Sequence, residues 1–230
     1  MFRHSDNHLP FEDPLRLLPR ILTKLYSIWV SLTYPFVSIG RNLSIHFTCR
    51  LQRPVASAIA LGNSIYIGKD AWLNVTDLRT NKVVLVIEDN CLIGHRCEIS
   101  GKNYIHLEHH VLVSSSVLIM DHSHAYEDVT KPVSQQGTTE GGRIRIGQGS
   151  FIGHGAAIVC TRGELVLGHH SVVAANALVT NSCPPYSVII GNPGKVIRQF
   201  DPATNAWVIG SVRSPQTTNQ EKRGAAPDHD

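Results

Sequence analysis

An aliphatic residue recurs at every sixth position, in groups of three, through most of this chain. The groups are Ile39, Ile45, Leu51; Leu61, Ile67, Leu73; Ile87, Ile93, Ile99; Leu107, Val113, Ile119; Ile146, Ile152, Ile158; and Leu167, Val173, Val179. A Gly or Glu follows each leading member, at Gly40, Gly62, Glu88, Glu108, Gly147 and Gly168. Small or apolar residues such as Cys91, Cys97, Val111, Val117, Ala156, Ser171 and Ala177 sit two positions before later members. A period of six belongs neither to an amphipathic helix nor to a single alternating strand. It fits short strands joined by sharp corners, with the aliphatic inward and a small residue easing the turn. Three hexads then close one triangular coil, and six coils stack at about 4.8 Å each, none able to bury its interior alone. The sequence predicts an all-β parallel β-helix over residues 39–200, an N-terminal segment over 1–38 and a flexible tail over 201–230.

The groups are not contiguous. Extra residues fall between Leu51 and Leu61, between Leu73 and Ile87, and above all between Ile119 and Ile146; a smaller surplus at Thr161-Arg162-Gly163 predicts a bulge. These residues must leave the coil. The longest excursion, over 120–145, carries Asp121-His122-Ser123-His124-Ala125-Tyr126-Glu127-Asp128 and then Lys131-Pro132-Val133. Long loops on a rigid scaffold are where function concentrates.

The ends have a different character. Residues 15–36 are apolar but are interrupted by Arg16, Pro19, Arg20 and Lys24. The uncharged run that follows falls short of the ~20 residues a membrane span needs. The three cations recur every four residues and share one helix face; Leu18, Ile21, Leu22, Leu25 and Trp29 fall on the other. The expectation is a short amphipathic helix that caps the solenoid, the alternative being a helix resting on a membrane surface. The polar tail, with Ser214-Pro215-Gln216-Thr217-Thr218, reads as disordered. Five cysteines, without a CxxC pair or a signal peptide, predict free thiols in a reducing cytoplasm; Cys91 and Cys97 occupy core positions. A net charge of +3 singles out no partner, and the linear sequence shows no basic stripe for nucleic acid.

The hexads, together with Gly191-Asn192-Pro193-Gly194-Lys195-Val196-Ile197-Arg198, resemble the hexapeptide-repeat acyltransferases over nearly all of Ile39–Arg198. The resemblance is strongest to acetyltransferases that modify sugars of lipopolysaccharide, capsule or exopolysaccharide. It implies a left-handed β-helix, a homotrimer, and acetyl-CoA held in a groove between subunits. It also implies roles for particular residues. His122 falls where the family's base sits, and His124 is its neighbour and rival. Phe151-Ile152-Gly153-His154 matches a segment whose backbone lines the thioester end of the groove, although a His at 154 departs from the commoner small residue. Ala175 and Thr180 match pantetheine contacts, and Lys195 and Arg198 match phosphate contacts.

Acetyl transfer to a hydroxyl needs a base, a held thioester and donors for the developing oxyanion. Neutral imidazole suits the first task. Asp121, Glu127 and Asp128 are candidates to orient it, and backbone N–H groups over 153–155 are candidates for the oxyanion. Cys160 lies near the expected groove with no visible activator. The acceptor is expected to be a sugar or glycan hydroxyl, with an amino sugar as the alternative; the apolar N-terminal helix favours a lipid-linked acceptor at the inner face of the membrane. A second class of function is a zinc-dependent, carbonic anhydrase-like β-helix using His from the set His106, His109, His110, His122 and His124. The Gly191–Arg198 segment has no purpose in such an enzyme, so no metal is expected. A third is a scaffold that has lost its site, which the intact His122 loop argues against.

Overall fold

A computed structural model describes residues 17–78 and 82–210. Arg16 and the tail beyond Gly210 lie outside the described residues. The chain is a parallel β-solenoid with one N-terminal helix, α1 (Leu17–Thr33). Strands β1 to β20 follow, numbered along the chain.

The solenoid has three sides. Side A stacks β1 (Ser38–Ile39), β3 (Ile59–Leu61), β6 (Leu85–Ile87), β9 (Tyr104–Leu107), β12 (Arg143–Ile146) and β15 (Glu164–Leu167). Side B stacks β2 (Ser44–Ile45), β4 (Tyr66–Ile67), β7 (Leu92–Ile93), β10 (Leu112–Val113), β13 (Phe151–Ile152), β16 (Val172–Val173) and β18 (Ser187–Ile190). Side C stacks β5 (Trp72–Val75), β8 (Glu98–Gly101), β11 (Leu118–Met120), β14 (Ala157–Val159) and β17 (Leu178–Val179). The repeat aliphatics are in register from coil to coil. On side A, Ile39 pairs with Leu61, then Ile87, Leu107, Ile146 and Leu167. On side C, Leu73 pairs with Ile99, then Ile119, Ile158 and Val179. Nearly all of these side chains are fully buried in one continuous core, each contributing roughly 2–3 kcal/mol of hydrophobic stabilisation.

Corners impose two backbone demands. From the second coil on, the corner between sides B and C holds a left-handed residue, such as Arg96, Ser116, Gly155 and Asn176. The other demand is close stacking. A side chain on Gly153 would reach the Ala175 backbone nitrogen at 2.6 Å, so only glycine fits beneath the next coil there. The cysteines serve as filler: all five are buried and free. Burial pushes the Cys49 thiol up to about 12 and the Cys91 thiol up to about 11.

The surplus residues leave the coil at one corner, between side C and side A. The long excursion is 121–142, because Met120 closes β11 and Arg143 opens β12; its ends lie inside the expected 120–145. The bulge at Thr161-Arg162-Gly163 leaves at the same corner, between β14 and β15.

The C-terminal end differs from the expectation. The six coils are followed by part of a seventh: Cys183 bridges to Leu167 on side A, and β18 adds a rung to side B. The chain then reverses. Strand β19 (Lys195–Asp201) pairs antiparallel with β18, and β20 (Ala206–Ile209) pairs antiparallel with β19. The expected flexible tail over 201–230 therefore starts too early, since its first residues are strand. Aromatic contacts hold the hairpin: Phe200 packs edge-on to Tyr186 and Trp207, and the Arg198 guanidinium lies 5.3 Å over the Trp207 ring.

At the other end α1 covers the first coil, as expected, but not with its apolar face. Val30 and Ser27 are buried, and Thr23 and Tyr26 partly so, which is one face at helical spacing. The Ser27 hydroxyl donates to Thr23 O (2.7 Å) and accepts the Ile45 N–H (2.8 Å). The stripe of Leu18, Ile21, Leu22, Leu25 and Trp29 faces outward.

Candidate functional site

His122 stands at the neck of the long excursion, one residue beyond Asp121, which itself follows β11. Asp121 is fully buried and His122 is 6% exposed. The Asp121 carboxylate accepts three backbone N–H groups from the corner one coil below: Lys102 (2.7 Å), Asn103 (2.8 Å) and Tyr104 (2.9 Å). The same carboxylate lies 3.1 Å from His122 Nδ1. This pairing makes Nδ1 the donor and leaves Nε2 as the lone-pair nitrogen. Of the three acidic candidates, the structure selects Asp121. Asp128 is committed elsewhere, to Lys131 at 2.8 Å and to Thr130, and these bonds hold its carboxyl below the usual range. Glu127 Oε2 accepts the Tyr126 N–H.

The excursion is a braced finger. Gly142 N–H donates to Asp121 O at 2.6 Å and closes its neck. Ser123 and Thr139 pair across it, and His124 bridges antiparallel to Thr138. The Lys102 ammonium donates to the Thr138 hydroxyl (2.9 Å) and to Thr139 O, while Asn103 donates to Glu140 O (2.8 Å). A polar cavity of about 620 Å³ opens between the finger and the next coil, lined by Ser123, Tyr126, Glu127, Thr139, Glu140 and Arg162, among others. His124 is exposed and has no side-chain hydrogen bond among the described residues. Lys102 and Asn103 went unnoticed in the sequence. The available signal was the spacing from Ile99 to Leu107, the shortest between one aliphatic triplet and the next, which makes this corner the tightest passage from side C to side A and points its amides at one spot.

Of the remaining sequence candidates, Thr180, His154 and Ala175 fall on the two long edges of side C. Thr180 follows Val179, which is in register with Ile158 and Ile119, so it shares the His122 edge two coils on. His154 and Ala175 sit on the opposite edge, at the corners before β14 and β17, and both are exposed. One chain does not bring His122 together with His154. The expected oxyanion donors need a correction. Gly153 N–H donates to Val173 O (2.8 Å) and Gly155 N–H to Ser115 O (3.1 Å), both within the coil ladder. The ladder leaves the N–H groups of His154 and Ala175 without a backbone partner among the described residues. Cys160 is buried, its thiol 3.3 Å from Arg162 O. The 191–194 turn docks on β17: Gly194 N–H donates to Leu178 O (2.6 Å) and Leu178 N–H to Gly191 O (3.0 Å). Lys195 and Arg198, both exposed, follow this turn on β19, at the end of the side B sheet.

Two of the histidines that suggested zinc are engaged by a carboxylate within one chain. Glu88 takes His106 Nε2 at 2.7 Å and His109 Nδ1 at 2.6 Å on side A. Burial disfavours the Glu88 charge, but these two hydrogen bonds prevail and hold its carboxyl below the usual range. The bond to Glu88 likewise holds the His109 imidazole above its ordinary value. Among the described residues no group of three or more His, Cys, Asp or Glu is arranged to hold a metal.

Comparison with known proteins agrees with the repeat. The family model described as the hexapeptide repeat of succinyl-transferase matches residues 84–113 and 143–181. The probable acetyltransferase Rv3034c of Mycobacterium tuberculosis is 26% identical over 167 residues, covering 73% of this chain and 51% of its own length. WbbJ of Escherichia coli, whose name assigns it to lipopolysaccharide biosynthesis O-acetyl transfer, is 27% identical over 158 residues, covering 62% of this chain and 79% of its own. This chain thus spans about half the length of the first relative. Among solved structures, AntD of Bacillus cereus, an N-acyltransferase, superimposes with a TM-score of 0.62 at 17% identity, covering 82% of this chain and 90% of that one; it was crystallised with dTDP-4-amino-4,6-dideoxyglucose and coenzyme A. At that identity the likeness speaks for the fold.

Proposed function

We propose that this chain, in which residues 84–113 and 143–181 match a hexapeptide-repeat family model, transfers an acetyl group from acetyl-CoA to a hydroxyl of a sugar or glycan. The buried Asp121–His122 pair carries this reading: a carboxylate clamped by three amides holds one imidazole nitrogen and leaves the other as a base. His122 Nε2 takes the proton of the acceptor hydroxyl as its oxygen attacks the thioester carbonyl. The new C–O bond forms, the C–S bond breaks, and the proton passes to the departing CoA thiolate. No acyl-enzyme is needed, and buried Cys160 has no part in it.

The site is completed between subunits of a homotrimer. His122 and Thr180 occupy one edge of side C and His154 and Ala175 the other, so the base of one subunit works on a thioester held along its neighbour. The N–H groups of His154 and Ala175, unused by the ladder, are suited to the pantetheine carbonyls and the oxyanion. Side B supports assembly. Leu92, Leu112, Phe151, Val172 and Val188 stack in register on its outer face as an apolar ladder. The cavity beside the finger, with Glu127, Glu140 and Arg162, is the acceptor site. Its polar lining suits a sugar.

A screen of sugars, sugar nucleotides and amino sugars against acetyl-CoA, read by CoA thiol release, tests the activity. Turnover with hydroxyl acceptors supports it; turnover confined to amino sugars assigns amide formation instead. Silence throughout, together with stoichiometric zinc in untagged protein, sinks it. Lys195 and Arg198 are assigned to the CoA phosphates. Replacing both with Ala is expected to raise the KM for acetyl-CoA about tenfold and leave kcat nearly unchanged, as for groups that bind ground and transition states alike.

A further inference from the structure

Helix α1 is mounted inside out. Its docked face carries Thr23, Tyr26, Ser27 and Val30, and its opposite face exposes Leu18, Ile21, Leu22, Leu25, Ile28, Trp29 and Leu32, each 40–81% accessible. An amphipathic helix that only caps a fold turns its apolar stripe to the core; this one turns it away. Among the described residues no helix is long and apolar enough to cross a membrane.

Charge says what covers this face. From Leu17 to Lys69 the chain has six basic residues, Arg20, Lys24, Arg41, Arg50, Arg53 and Lys69, and no Asp or Glu before Asp70. All six lie on α1 or on the first two coils, the end of the solenoid on which α1 packs. Between them lies a cleft of about 390 Å³, lined by Arg20, Lys24, Asn42, Ser44, His46 and Tyr66, on the basic flank of the helix. An apolar stripe rimmed by cations is built for the headgroup–acyl boundary of an anionic bilayer. A second copy of the same end would set six cations against six, which disfavours self-association.

We propose that α1 lies in the plane of an anionic membrane surface, with its Leu/Ile/Trp face in the acyl boundary and lipid phosphates between the helix and the first coil. This is independent of the acyl-transfer reading; thiol release on a soluble acceptor is expected without any membrane.

The test is co-sedimentation of the full chain with phosphatidylcholine vesicles, with and without phosphatidylglycerol, beside its mass by light scattering. Binding is expected with phosphatidylglycerol only. Arg20→Gln with Lys24→Gln should weaken it about 25-fold, since each cation near an anionic surface is worth about fivefold. Ile21→Asp with Leu25→Asp should abolish it with unchanged thermal melting, both positions being solvent-facing. Failure to sediment with either vesicle overturns the proposal. Equal binding to both overturns the anionic surface. A drop in oligomeric mass in the Asp variant, with vesicle binding retained, assigns the face to a second copy and overturns it as well.

Discussion

His122→Ala is expected to lower acetyl-CoA-dependent turnover about 10²–10⁴-fold, the range lost with a positioned general base, while its thermal melting follows the parent's. The asymmetry follows from Asp121, which keeps three amide donors after the imidazole is gone and so strands no buried charge. CoA thiol release at saturating acceptor is the measurement. His124→Ala is the control, because its ring is exposed and unbraced; it should change turnover little. Near-normal turnover in His122→Ala with loss in His124→Ala would transfer the role and refute the assignment.

Asp121→Ala is expected to act first on stability. The carboxylate is fully buried, and its loss leaves the amides of Lys102, Asn103 and Tyr104 without an acceptor. The three donors are only partly buried, so each lost bond costs about 1 kcal/mol and a loss of about 3 kcal/mol follows. In a domain of this size that lowers Tm by roughly 6–12 °C. Asp121→Asn separates support from positioning. An amide oxygen still accepts from the corner, but the amide nitrogen set against Nδ1 now donates to it, so Nε2 carries the proton and no longer serves as the base; kcat is expected to fall while Tm stays near the parent's. A kcat close to the parent's, or a fall explained by an equal loss of Tm, would reduce Asp121 to a structural part and refute its role in orienting the base.

Most of the fold was legible in the sequence because the solenoid repeats one local rule. Ile93 and Ile152 lie far apart in the chain and occupy the same rung position, and the period alone placed both. The long excursion was legible for the complementary reason: it is where the period fails. What the sequence hid depends on stacking between coils. Asp121 could not be told from Glu127 or Asp128 until the corner at Lys102–Tyr104 was placed beneath it. The N–H groups of Gly153 and Gly155 looked available until the ladder consumed them. The β19–β20 hairpin was missed because it does not carry the hexad; it is held instead by Phe200, Trp207 and Arg198. The outward stripe of α1 was visible as amphipathicity, but which face would dock was not; Ser27, a poor core residue by type, decided it through two backbone bonds. The cationic end likewise forms only when the helix is laid on the first coil.

The routing of the surplus residues through one corner gives the molecule the properties of a ratchet. Because the coils touch only through matched rungs, the axial offset between His122 and Thr180 is a whole number of steps of about 4.8 Å and cannot drift between them. Finger length and composition, by contrast, vary freely without disturbing the stack. Acceptor choice is thereby a continuous variable in this architecture, and the reach along the acyl donor a discrete one.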